Sequence, residues 1–370
     1  MELATVMGRY RGQVISDTGF QRSATFTEQK HALSAILSCR TAVRGEIKVY
    51  CSTCNQHSWF YHSCGHRSCP KCQNHETSRW LDRQRSKLLP IDYFLVTFTL
   101  PAELRQLARR HPKTVYNLLF RSASEALVQA ALNPRFFGGL IGFTGVLHTH
   151  SRRLDFHPHV HFVVPGIAYQ PQKGLCIHSR NRFLLPERVL NRLFRGKFLS
   201  GLKQLGLRFN PSVYLKDWVV DCRFSGKGDS ALKYLARYLY RGVFSERNII
   251  SHQDRQVTFR YLNSETNQPE TRTLPGDRFA RLVLQHVLPK GFRRVRDYGF
   301  LHGNAKKTLT RLQLLLVPKL VDRKIRRRPV FRCRCCGKPA MIVAVAVYRP
   351  GFVHRSRSPP TGQSLEFASK

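Results

Sequence analysis

Apolar and polar positions follow two periods along this chain, and each change of period marks an element. Tyr93 to Leu100 (YFLVTFTL) is β-branched and aromatic, which predicts a buried strand stopped by Pro101. Thr114 to Leu132 returns to helical spacing. Leu140 to His148 and His159 to Val164 predict two further strands, the second closed by Pro165-Gly166. Pro186 to Leu205 reads as a helix, Trp218 to Phe224 as a strand and Ser230 to Arg241 as a helix. Beyond them lie a strand at Gln256 to Leu262 and helices near Asp277 to Val287 and Lys306 to Leu315. Strands interleaved with helices in this way imply an α+β fold with a largely antiparallel central sheet. No internal repeat is visible.

Composition then narrows the class. Apolar residues make up 42% and aromatics 11% of 370 residues, enough for a packed core, and no apolar run reaches the roughly 18 residues that span a bilayer. The 62 Lys and Arg exceed the 22 Asp and Glu by 40 charges, spread along the whole chain, and such an excess calls for a polyanion. Nucleic acid is the expected partner and a membrane is not. No apolar leader occupies Met1 to Tyr10, so the eleven cysteines are expected in a reducing cytoplasm, where metal binding is their commoner use. Three segments are predicted: residues 1–90, a cysteine-bearing recognition module with a charged helix from Glu76 to Leu89; residues 91–318, the α+β domain; and residues 319–370, a basic tail with RKIRRR at Arg323 to Arg328, partly disordered.

Cys51-Ser-Thr-Cys54 and Cys69-Pro-Lys-Cys72 are two C-x2-C pairs fourteen residues apart. Two such knuckles present four thiolates to one tetrahedral Zn2+, and four thiolates leave no open position, so the site is expected to be structural. His57, His62, Cys64 and His66 are rival ligands, or members of a second site with Cys39. Cys333-Arg-Cys335-Cys336 is half of such a site with no second pair nearby in sequence.

The segment Asp155-Phe-His157-Pro-His159-Val-His161 bears on chemistry. On a strand His159 and His161 project the same way while Val160 enters the opposite packing layer. Two adjacent neutral imidazoles can hold a divalent ion and leave positions for phosphate oxygens. The pairing of His157 with His159 is disfavoured because Pro158 cannot donate to a central ladder. His157, His150, Asp155 and His148 remain candidates for a third ligand. Phosphate chemistry favours Mg2+ or Mn2+ over zinc here.

Downstream, Tyr234 and Tyr238 are four residues apart on a predicted helix and share a face with Lys233, Arg237 and Arg241, about 110° from the stripe formed by Leu232, Leu235 and Leu239. Cations beside a phenol favour phosphate binding and lower the cost of phenolate. Tyr240 belongs to neither face.

Taken together, these motifs resemble those of the HUH superfamily of single-strand endonucleases, and within it the two-tyrosine rolling-circle transposases of the insertion sequence 91 family. Phe98-Thr99-Leu100-Pro101 looks like the first motif, His159-Val160-His161 the second, and Tyr234 with Tyr238 the third, while the cysteine module is similar to the zinc-binding domain that precedes the nuclease in that family. The resemblance spans about Thr27 to Val317 and includes Leu284 to Asn304. It implies an HUH nuclease domain whose antiparallel sheet carries the histidines beside a tyrosine-bearing helix. It also implies nicking of single-stranded element ends through a 5′-phosphotyrosine, a catalytic Mg2+ or Mn2+, and work beside host helicase and replication proteins in a bacterial nucleoid. A replication initiator or relaxase of the same superfamily is the nearest alternative; an inactive zinc-dependent DNA-binding regulator is the alternative of another class.

Overall fold

A computed structural model describes residues 2–72, 74–216, 218–230, 232, 243–263, 266–316 and 330–346. The chain divides into two compact units, one formed by Met1–Leu37 and Cys64–Arg326, the other by Ser38–Ser63 and Arg327–Lys370. This division cuts across the segment expected at 1–90. Its first 37 residues join the larger unit, and the stretch from Ser38 to Ser63 joins residues from the other end of the chain.

In the larger unit the described helices are α1 (Leu3–Arg9), α2 (Arg11–Ser16), α3 (Thr18–Gln21), α4 (Phe26–Ser38, whose last residue falls in the other unit), α5 (Asn74–Arg85), α6 (Arg105–Arg110), α7 (Pro112–Leu132), α8 (Glu187–Gln204), α9 (Gly276–Leu284) and α10 (Lys306–Leu316). Strands are numbered through the whole chain. The smaller unit contributes β1 (Glu46–Cys51), β2 (Gln56–Tyr61) and β13 (Met341–Ala346). The larger contributes β3 (Asp92–Thr99), β4 (Phe143–His150), β5 (Phe156–Pro165), β6 (Ile167–Gln170), β7 (Leu175–His178), β8 (Val219–Lys227), β9 (Ile249–Gln253), β10 (Gln256–Leu262), β11 (Pro269–Pro275) and β12 (Val295–Tyr298).

The centre of the larger unit is a five-stranded sheet in the order β12-β4-β5-β3-β8, and every neighbouring pair is antiparallel. Period-two alternation divides its strands between two layers. Phe98, Val160 and Phe162 face α7 and α8, where they pack with Phe120, Phe194 and Phe198. Val146 and Val163 face the other way, with Trp80 and Leu81 of α5 and Leu312 of α10. Burial on both faces explains why β3 and the end of β5 read as nearly continuous apolar runs. Gly145, opposite Phe162, is required by this packing, because a Cβ there would lie 2.5 Å from the Phe162 ring.

A second sheet, β11-β10-β9, is covered by α1 to α3 and α9. Leu3, Val6, Met7 and Phe20 meet Phe259 and Phe279 there, which is why the amino-terminal helices belong to this unit. The smaller unit is a three-stranded sheet in the order β13-β1-β2. Among the described residues no helix is long and apolar enough to cross a membrane.

The expected helix at Ser230 to Arg241 lies almost wholly outside the described residues, and its Leu232 is buried with Trp80 and Tyr93. In the tail expected at 319–370, residues 330–346 form a β-bridge between Arg332 and Pro339 followed by β13.

Candidate metal centre and thiolate clusters

The register of three neighbouring strands assembles the histidines. His148 on β4 lies opposite His159 on β5, while Thr97 and Thr99 on β3 lie opposite His161 and His159. Val160 points into the helical layer and is fully buried, so the two histidines beside it share the other face. The ring nitrogens of His148, His159 and His161 all lie within 4.8 Å of one another. Their ring centroids are 4.5 Å apart for His148 and His161, 4.7 Å for His159 and His161, and 5.2 Å for His148 and His159.

Two contacts orient the His159 and His161 rings. His159 Nδ1 lies 2.6 Å from the main-chain oxygen of His157; a carbonyl only accepts, so Nδ1 carries the proton and Nε2 keeps its lone pair. His161 Nδ1 is 2.8 Å from the Thr97 hydroxyl, which again leaves Nε2 for a ligand. Burial pushes His148 and His159 well below the ordinary imidazole range and His161 down to about 4, with neighbouring imidazoles adding to each effect. All three are therefore neutral at pH 7, the state that ligates a cation. The donor set fits a divalent ion, and three imidazoles suit Mn2+ better than Mg2+, which prefers oxygen.

Of the four candidates for a third ligand, the structure brings in His148. Each of the others is engaged elsewhere. Arg105 Nη2 is 2.9 Å from His157 Nδ1, and Asp155 accepts from Arg272 Nη1 at 2.9 Å. The His150 ring lies against His286 with centroids 5.4 Å apart. A register shift between His148 and His150 places His150 opposite Phe156 and breaks the alternation that would have aligned it with the other histidines. Tyr234, Tyr238, Lys233, Arg237 and Arg241 lie outside the described residues.

The cysteines require a correction. Cys51, Cys54, Cys69 and Cys72, expected around one zinc, fall into two sets in different units. Cys51 and Cys54 gather with Cys333 and Cys336, while Cys69 and Cys72 gather with Cys64. The physical reason is the pairing of β13 with β1 within the smaller unit, which brings Cys333 and Cys336 to the turn that holds Cys51 and Cys54. In the second knuckle, Cys69 N–H donates to His66 O at 3.0 Å, Cys72 N–H to Cys69 O at 3.3 Å, and the Cys64 and Cys72 sulfurs are 3.5 Å apart.

Two contributors escaped the sequence reading. Thr97 sits one position before the quoted motif, and only the β3–β5 register reveals it. Arg67 donates to the carbonyls of Leu288, Pro289 and Phe292 at 2.7, 2.8 and 3.0 Å, joining the knuckle to the segment after α9.

Residues 142–308 match the family model described as "Putative transposase", and residues 14–100 match the one described as "Transposase zinc-binding domain". "Putative transposase y4qJ" of Sinorhizobium fredii is 37% identical over 307 residues, covering 77% of each chain. The chain belongs to the insertion sequence 91 family of transposases. The transposase is also 29% identical over 290 residues to "Transposase for insertion sequence element IS801" of Pseudomonas savastanoi pv. phaseolicola, covering 73% of this chain and 69% of that one. Among solved structures, a conjugative relaxase TrwC in complex with OriT DNA, in metal-bound form, aligns over 60% of the transposase and 70% of that chain, with 13% identity and a TM-score of 0.27. The transposase carries an amino-terminal zinc-binding domain of the family type and an α+β architecture with a central antiparallel sheet.

Proposed function

We propose that the transposase nicks single-stranded DNA at the ends of its element, with Tyr234 or Tyr238 as nucleophile and the other tyrosine serving a later transfer. The observation that carries this reading is the trio of neutral imidazoles His148, His159 and His161, with His159 oriented by the His157 carbonyl and His161 by the Thr97 hydroxyl. A divalent ion held there, Mn2+ or Mg2+, would supply Lewis-acid polarisation of a phosphate oxygen.

The rest falls to the chain's own groups. The phenol oxygen attacks phosphorus, the bond from phosphorus to the 3′ oxygen breaks, and the phenolic proton ends on the departing 3′-OH. The 5′ phosphate stays on the enzyme as a tyrosyl ester, so the energy of the phosphodiester is kept for strand transfer. Lys233, Arg237 and Arg241 are proposed to hold the phosphate. The formal charge of +40 supports a nucleic-acid partner. So does a cavity of about 500 Å³ in the larger unit, lined in part by Arg22, Arg109, Arg110, Arg278 and Arg281. Cys64, Cys69 and Cys72 are proposed as thiolate ligands of a structural zinc.

The test is cleavage of a single-stranded oligonucleotide carrying the element end, with mass spectrometry of the adduct. A Tyr234→Phe/Tyr238→Phe variant is expected to form no adduct, and His148→Ala to lose cleavage while its affinity for the strand is retained. An adduct on Tyr240, or normal cleavage by either variant, overturns the reading.

A further inference from the structure

We infer that the smaller unit is a zinc ribbon split between the two ends of the chain, and that it holds a second zinc through Cys51, Cys54, Cys333 and Cys336. All four residues lie in this unit, and their sulfurs are within 4.8 Å of one another. Cys51 Sγ is 3.6 Å from Cys336 Sγ. A disulfide needs about 2.05 Å. A tetrahedron with metal–sulfur bonds of about 2.3 Å has edges of about 3.8 Å, and the observed separation fits that edge.

Each pair sits in a tight turn that aims two thiols the same way. Cys51 ends β1, and the turn to β2 passes through Asn55 at φ 53°, whose side chain accepts from Tyr50 Oη at 2.8 Å. In the other pair, Gly337 turns at φ 69°, its N–H donates to Cys333 O at 3.0 Å, and Cys333 N–H donates to Lys338 O at 2.9 Å. Cys335 N–H points at Cys333 Sγ, 3.4 Å away, the amide-to-sulfur contact that stabilises a thiolate. Pairing of β13 with β1 brings the second turn back to the first.

The packing of the unit also calls for a metal. Every residue of β13 is exposed, and among the described residues of this unit the buried apolar side chains are Cys39, Val49, Cys51 and Cys333. Such a sheet has almost no hydrophobic core, and small folds of this kind depend on a metal or a disulfide staple. Four soft thiolates select zinc in a reducing compartment. Cys335, exposed and outside the set, is the internal control.

The test is metal content of the purified full-length transposase by elemental analysis, with cobalt substitution as an optical report of tetrahedral thiolate coordination. Wild type and Cys335→Ser are expected to hold two zinc ions per chain. Cys333→Ser/Cys336→Ser and a chain ending at residue 329 should each hold one, with half the cobalt–thiolate absorbance. Zinc content in Cys333→Ser/Cys336→Ser equal to that of the wild type overturns the inference, whatever the total in the wild type. Because the readout is stoichiometry, it succeeds or fails independently of strand cleavage.

Discussion

Arg67 offers the sharpest energetic test of how the second cysteine knuckle is anchored. Its guanidinium makes three hydrogen bonds, to the carbonyls of Leu288, Pro289 and Phe292, all buried residues. Burial of the group is deep enough to lower its pKa. Hydrogen bonds to a charged donor contribute about 1.5–3 kcal/mol each when buried, and the half-buried position of Arg67 argues for the low end with some screening. Arg67→Ala, which removes three hydrogen bonds while Pro289 O keeps the Phe292 N–H, should therefore cost about 3–4 kcal/mol. At about 2 °C per kcal/mol for a unit of this size, the melting temperature should fall by about 6–8 °C. Arg67→Lys places one ammonium where a planar fork was and should recover less than half of that loss. Differential scanning calorimetry of the full chain, with zinc content measured in parallel, reads both effects. A fall of less than 2 °C in Arg67→Ala would refute the reasoning, because it would mean that water replaces the guanidinium at no cost.

Two further outcomes are expected. Thr97→Val keeps the shape of β3 but removes the hydroxyl beside His161 Nδ1, so Mn2+ affinity measured by titration should fall roughly 10- to 100-fold while the melting temperature holds; unchanged affinity would show that Thr97 does not orient the ring. His286 is buried and its pKa is lowered to about 4, so the unfolded chain takes up this proton first, near 6.5. Its contribution is thus present above pH 6.5 and lost as pH falls to 4, about 3 kcal/mol in total. His286→Gln should flatten the stability profile by that amount across this window, and an unchanged slope in urea titrations would remove His286 from the account.

The sequence made part of this fold legible because its strands are buried on both faces. The β-branched run at Tyr93 to Leu100 and the motif QVTFRYL at Gln256 to Leu262 correspond to β3 and β10, and the alternation His159-Val160-His161 leaves one reading of which side each residue faces. What stayed hidden depends on register or on partners distant in sequence. His148 could not be chosen over His150, because the irregularity between them is a property of the β4–β5 ladder. C-x2-C knuckles are alike, so spacing alone paired the two nearest, whereas the pairing of β13 with β1 gives the first knuckle its partners from Cys333 and Cys336. Met341 to Ala346 lacks any alternation because both its faces are exposed, and it offered no period to read.

The split of the smaller unit has a consequence in time. Cys51 and Cys336 are 285 residues apart, and the ribosome adds roughly 5–20 residues per second. The first half of the ribbon is therefore made about a quarter of a minute to a minute before the second can reach it. Through that interval Cys51 and Cys54 have only half of their proposed ligand set, and Cys64–Arg326 of the larger unit is synthesised in between.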